Sequence, residues 1–209
     1  INAPALYEIY SGLRGRAYGY LNIQSQPRLR ATTNLAVDNF GFKDLIDMRK
    51  LRIVGQLPTS ETTPSLLTAK MESLRRGNRE IQQGEISLAG IRKAHLLKVS
   101  AQNEKSKFYV QLAGGFNAQN DWLGQIQKGD FDSLRARLVQ RQSAAVVYNS
   151  AKVDLLIGAH CWMSQQSQLC FDQPIRVSKT RGNISFLTQN LDLNDFAAFM
   201  PEGLAITGK

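Results

Sequence analysis

The chain predicts an all-β fold, built as a long antiparallel meander. Three observations carry that expectation. Apolar and polar residues alternate along most of the sequence, turn signals recur between the alternating runs, and a helical period shows in only two short places. Alternation is informative because successive side chains leave a pleated strand on opposite faces, so a half-buried strand reads with period two. Short strands joined by short turns pair each with the next.

The elements follow in order. Leu21 and Ile23 open the first clear strand. In Arg28-Leu29-Arg30-Ala31-Thr32-Thr33-Asn34-Leu35-Ala36-Val37, the residues Leu29, Ala31, Leu35 and Val37 point one way; Arg28, Arg30, Thr32 and Asn34 point the other. Residues 38–50 fit less well, since Phe40, Phe42, Leu45 and Ile46 read equally as strand or helical turn. Leu51, Ile53 and Leu57 then share a face opposite Lys50, Arg52 and Gln56, and Leu67, Ala69 and Met71 oppose Thr68, Lys70 and Glu72. Ile86 and Leu88 follow a Gln-Gln-Gly turn, Leu97 and Val99 come next, then Phe108, Val110 and Leu112. Leu134, Ala136 and Leu138 oppose Arg135 and Arg137, and Val153, Leu155 and Ile157 precede the cysteines. Ile175 and Val177, then Ile184 and Phe186, finish the series. Ser25-Gln26-Pro27, Gly77-Asn78, Asn103-Glu104-Lys105, Lys128-Gly129-Asp130 and Arg181-Gly182-Asn183 supply turn chemistry between them.

Two short segments read as helix, near 4–11 and 194–200. Pro4 suits a first helical position, and Leu6, Ile9 and Tyr10 form an i, i+3, i+4 stripe before Gly12-Leu13. Asn194 can cap the second, where Phe196, Phe199 and Met200 form the same stripe, Pro201 stops it and Gly203-Leu204 follows. Their likeness suggests a weak internal repeat, a short helix leading into a glycine-started strand; coincidence between two amphipathic segments is the alternative.

Composition narrows the class. The chain has 209 residues, 43% hydrophobic, enough for one large β unit and too apolar for disorder. No run of about 18 apolar residues is present, so no transmembrane helix is expected within it. It starts inside an element without Met and reaches Thr207-Gly208-Lys209 with strand character still running, so 1–209 reads as one β segment of a longer protein. The net charge of +9 favours polyanions such as nucleic acid, anionic lipid headgroups or lipopolysaccharide. The cations are spread singly on polar strand faces, as in Arg28/Arg30, Lys50/Arg52 and Arg135/Arg137; Arg75-Arg76-Gly77-Asn78-Arg79 is the densest group. No RNA-recognition, zinc-finger or helix-turn-helix pattern accompanies them, so nucleic acid is not the expected partner.

Cys161 and Cys170 are the only cysteines, with the polar loop Ser164-Gln165-Gln166-Ser167-Gln168 between them. Across a hairpin a disulfide is geometrically reasonable and would imply an oxidising compartment; free buried thiols, or a metal pair with His160, are the alternatives. Neither His95 nor His160 belongs to a visible nucleophile–base motif, and no Gly-x-Ser-x-Gly, P-loop or Rossmann fingerprint occurs. No enzyme activity, cofactor or metal is expected.

Certain local sequences carry a resemblance. His160-Cys161-Trp162 followed by Leu169-Cys170-Phe171 resembles the paired-cysteine hairpin of the TamB family, relatives of the AsmA group. Asp121-Trp122-Leu123-Gly124-Gln125-Ile126 with Gly129-Asp130-Phe131 is similar to that family's Trp-x-Gly strand–turn–strand unit, and Phe199-Met200-Pro201-Glu202-Gly203-Leu204 to its Pro-x-Gly-Leu segment.

The resemblance implies an inner-membrane-anchored protein crossing the periplasm, with the anchor outside this chain, paired with the outer-membrane barrel TamA. It implies an open, taco-like curled sheet whose apolar interior groove holds phospholipid acyl chains, or unfolded outer-membrane β-strands. Leu29, Leu35, Val37, Leu51, Ile53, Leu57, Leu67, Met71, Ile86, Leu88, Leu97, Val99, Phe108, Val110, Leu112, Ile126, Leu134, Leu138, Val153, Leu155, Ile157, Ile184 and Phe186 would then line that groove. A transmembrane β-barrel shares the alternation but calls for aromatic girdles, whereas Tyr and Trp are few and irregular here. A closed β-sandwich binding module would fold the apolar face onto itself and need no ligand.

Overall fold

The computed structural model describes residues 2–3, 12–24, 30–43, 45–58, 62–134 and 136–191. These form one antiparallel sheet of seventeen strands, with no helix among the described residues. Leu29 and the helical segments expected near 4–11 and 194–200, with the repeat they suggest, lie outside the described residues.

A short β1 (Asn2–Ala3) pairs with β2 (Leu13–Gln24). The meander continues through β3 (Arg30–Phe42), β4 (Ile46–Pro58), β5 (Ser65–Arg76), β6 (Arg79–Ile91), β7 (Ala94–Gln102), β8 (Ser106–Phe116) and β9 (Trp122–Ser133), each paired to the next. The remaining strands are short: β10 (Arg137–Gln140), β11 (Ala144–Asn149), β12 (Asp154–Ile157), β13 (His160–Met163), β14 (Gln168–Phe171), β15 (Ile175–Ser178), β16 (Gly182–Asn183) and β17 (Leu187–Gln189). They are halves of interrupted rungs. β10 and β11 share one edge of β9; β13 and β12 pair with them in turn, then β14 and β15, then β17 and β16. The interruptions fall at 141–143, 158–159, 172–174 and 184–186. Pro174 lies in one of them, where its missing N–H removes no ladder bond.

Asn39 and Ser73, both with φ 51°, explain why residues 38–50 resist simple alternation. A left-handed residue leaves the extended conformation and shifts the alternation by one step; Asn tolerates it best after Gly. Val37 faces the apolar side, and Phe40 beyond Asn39 packs against the same cluster of Ala17 and Val37. Register carries the shift sideways: Phe40 stands opposite Met48, Met48 opposite Leu74, and Leu74 opposite Ile81. A crease therefore crosses β3 to β6, and Phe40, Phe42 and Ile46 are strand residues on either side of a tight turn.

Two expected turns are strand interior instead. Gly84 lies within β6 opposite Met71, and Gly129 within β9 opposite Val110. Both glycines make room for a neighbour: a Cβ on Gly84 would come within 2.5 Å of the Met71 methyl, and one on Gly129 within 2.3 Å of the Trp162 ring.

Among the described residues no ladder joins β1 or β2 to β16 or β17, so the sheet is single and unclosed, neither sandwich nor barrel. Nine described apolar residues are buried, the rest of the apolar face being only partly covered. That is the behaviour of an open, taco-like sheet.

Candidate apolar groove

Antiparallel register turns the alternation of single strands into rows that cross the sheet. One row reads Leu35, Ile53, Ala69, Ile86, Val99, Val110 and Gly129, each opposite the next. A second reads Val37, Leu51, Met71, Gly84, Ala101, Phe108, Phe131 and Leu138. A third reads Gly55, Leu67, Leu88, Leu97, Leu112, Ile126 and Ala144. All three fall on one face because a residue and its direct cross-strand partner point the same way. The face is apolar over its whole breadth, and part of it remains in water: Leu57 is 37% and Ile86 46% exposed.

Beyond the third row the lining becomes amphipathic. Gly90, His95, Gly114, Gly124, Val146 and Ile157 form a fourth row; Phe116, Trp122, Tyr148 and Leu155 form a fifth. Gly114 and Gly124 lie opposite each other beneath the Trp122 indole; a Cβ on either would come within 2.6 Å of that ring. The indole Nε1–H donates to His95 Nε2 at 2.8 Å. Indole is a donor only, so His95 Nε2 accepts and its proton sits on Nδ1, 3.2 Å from the Ile91 carbonyl. Arg92 donates to the Asn120 side-chain carbonyl and lies 5.2 Å over the Phe116 ring. A cavity of about 590 Å³ runs along these rows, lined by residues from Leu57 in β4 to Leu155 in β12, with Leu88, Leu97 and Leu112 between.

Elsewhere the face seals itself. Phe131 and Leu138 are 1% and 0% exposed, in a cluster with Trp162 and Leu191. Trp162 stacks on Phe108 with centroids 6.1 Å apart and settles over Gly129. Cys161 and Cys170, directly opposite in β13 and β14, are joined as a disulfide with Cα atoms 4.1 Å apart. They alternate with Trp162 and Leu169, so the bond ties the hairpin that carries the cluster.

Most sequence-predicted lining residues stand on these rows; among the described residues Leu57, Leu134, Val153, Ile184 and Phe186 do not, though Leu57 lines the cavity. Leu134 is 80% exposed in the turn after β9. Val153 lies in the turn before β12 with φ 51° and 45% exposure, and Ile184 falls in a rung interruption at 57% exposure. In each case the alternation ran on past the end of a strand. Phe186 packs on the sealed cluster, and Leu138 belongs to that cluster's closed interior, away from the open face. Reading by alternation missed Phe40, Met48, Leu74 and Ile81, which the crease displaces by one step. It also missed His95, Trp122, Val146 and Tyr148. The continuous apolar run Ala144-Ala145-Val146-Val147-Tyr148 was the available signal.

The opposite face carries charged residues laced by ion pairs across adjacent strands, with Val54, Leu66 and Leu123 exposed among them. Lys70 pairs with Glu85 at 3.3 Å, Arg49 with Glu72 at 3.1 Å and Arg137 with Asp130 at 2.9 Å. Arg14 reaches Asp47 at 3.0 Å across Gly41, which offers no Cβ to obstruct it. The Ser73 hydroxyl donates to Glu80 at 2.7 Å, and with neighbouring Arg75 it holds that carboxyl below the usual carboxylate range. Exposed pairs of this kind contribute about 0–1 kcal/mol each; their larger effect is to keep this face in water.

The family profile described as "TamB, N-terminal domain" matches residues 1–209. The translocation and assembly module subunit TamB of Haemophilus influenzae is 28% identical over 202 residues, which cover 93% of this chain and 15% of that protein. No solved structure matches. A profile match over the entire chain, on an open β sheet with a cysteine-paired hairpin, places this chain in the TamB family.

Proposed function

We propose that this segment is part of a periplasm-spanning bridge whose apolar groove carries phospholipid acyl chains between the inner and outer membranes, supporting outer-membrane protein assembly. The full-length protein would be anchored in the inner membrane outside this chain and work with the outer-membrane barrel TamA. One observation carries the reading: a continuous aliphatic face, many strands wide, left partly in water by an unclosed sheet. An ordinary monomer rarely exposes so large an apolar surface, because it invites aggregation; an acyl occupant removes the liability. Each methylene buried there gains about 0.8 kcal/mol, and uniform aliphatic rows give a chain no strongly preferred resting point. The groove would work by burial and sliding, with headgroups kept in water at the seam.

Photo-crosslinking residues at Leu51, Leu97 and Val110 of the full-length protein should capture lipid in cells. The same probe at Lys50, Lys98 and Gln111 should not, since one step along a strand moves the side chain to the other face. Leu97→Asp should leave the segment folded and block lipid passage. Capture of unfolded outer-membrane polypeptide in place of lipid would move the reading to a chaperone groove. Unfolding by Leu97→Asp with no lipid capture would sink it.

A further inference from the structure

We infer that the lip of the groove beside Arg92 is a headgroup site selective for anionic phospholipid, which deepens, and rests on, the acyl-chain reading. Arg92 belongs to the two-residue turn between β6 and β7, and its half-buried side chain lines the 590 Å³ cavity together with His95, Tyr148 and the aliphatic residues beneath. The cavity thus has an aliphatic floor and a cationic, hydrogen-bonding mouth, the two-part chemistry of an anionic amphiphile.

The mouth is also held in place. The Phe116 N–H donates to the Arg92 carbonyl at 2.9 Å, tying the β6–β7 turn to β8. The next turn along the lip, 117–121, is braced by the Asn117 side chain accepting from the Gln119 and Asp121 N–H groups, both at 2.9 Å. Asp121 in turn accepts the Ser150 N–H at 2.9 Å, which joins the β11–β12 turn to it. Asn120, on the middle turn, receives one Arg92 N–H while the Phe116 ring supports the guanidinium from below.

A guanidinium has five donors in a planar fork suited to phosphate oxygens. The structure shows one donated to Asn120, and among the described residues no carboxylate pairs with Arg92. Lys152, on the β11–β12 turn of the same lip, adds a second positive charge, and Asp121 on the middle turn a negative one. A phosphodiester carrying a net negative charge, as in a phosphatidylglycerol headgroup, matches this mouth. A zwitterionic headgroup brings its own ammonium into the same cationic field and gains less.

The test uses full-length protein in vesicles containing a phosphatidylglycerol or a phosphatidylethanolamine analogue, each with the same diazirine-bearing acyl chain. Labelling of the β7–β8 peptides is read by mass spectrometry. Wild type should label about tenfold more with the anionic analogue, roughly the difference made by one charge-assisted hydrogen bond. Arg92→Gln should bring the ratio of the two towards one, Arg92→Lys should keep part of the preference, and Lys98→Gln on the opposite face should keep all of it. Equal labelling by the two analogues in wild type, or an Arg92→Gln protein that retains the preference or loses both lipids in proportion, overturns the headgroup site while leaving the groove intact. Absence of tail labelling by either analogue overturns the groove reading itself.

Discussion

Single residues decide how this sheet is surfaced, and glycine is the clearest case. Gly129 is where the Trp162 indole comes to rest, with ring atoms 2.3–2.8 Å from a notional Cβ. Gly129→Ala should force the ring out of its stack with Phe108 and destabilise the sealed cluster by about 1–3 kcal/mol, the usual scale of overpacking. Urea denaturation followed by Trp162 emission in a Trp122→Phe background would show a lower midpoint and a red-shifted folded spectrum; an unchanged midpoint would refute the packing argument. Glu80 offers an electrostatic counterpart. Its folded pKa is depressed by the Ser73 hydroxyl and then by Arg75, so the carboxylate form is favoured in the folded state. The resulting stabilisation is present above the unfolded value of about 4.3 and is lost as pH falls through the lower folded value. Ser73→Ala should raise the Glu80 pKa towards the ordinary range, measurable by carboxyl NMR titration, while Arg75 keeps it from returning fully.

At the scale of elements, the long strands were legible and the interruptions were not. Leu51-x-Ile53, Leu97-x-Val99 and Phe108-x-Val110-x-Leu112 announce their own faces, because in a one-sided sheet every second residue must be apolar. The crease at Asn39 and Ser73 was invisible, since nothing local says that a polar residue will adopt φ near 50°. Gly84 and Gly129 read as turns because glycine is common in both settings; only the positions of Met71 and Trp162 reveal that each leaves room for a side chain. The β13–β14 hairpin was readable from its cysteines, and the disulfide joins directly opposite residues. Removing it by Cys161→Ser with Cys170→Ser should lower stability by about 2–3 kcal/mol, most of it through a freer unfolded chain. Intact-mass measurement after thiol blocking, with and without reductant, should find no alkylated thiol in the unreduced protein and two after reduction.

For the molecule as a whole, the face to be buried was evident from sequence and the polar rim of the cavity was not. Aliphatic rows follow from alternation plus register, but the meeting of Arg92, His95, Trp122 and Tyr148 depends on which turns share an end of the strands. All four are polar or aromatic residues that no period-two count selects. The sealed cluster follows from register: Phe108 stands opposite Phe131, and Phe131 opposite Leu138.

Stepwise pairing of neighbours has a metrical consequence. Because each rung lies about 4.8 Å from the next, eight long strands and four interrupted ones span about 55 Å across the ladder. Reach is therefore set by the number of rungs, and cross-section by their length, so the two can change independently. One hairpin more or less alters the span by about 10 Å and returns every later side chain to its former face. Such a sheet is a ruler graduated in hairpins, able to be matched to a gap by duplication or deletion without redesign of its bore.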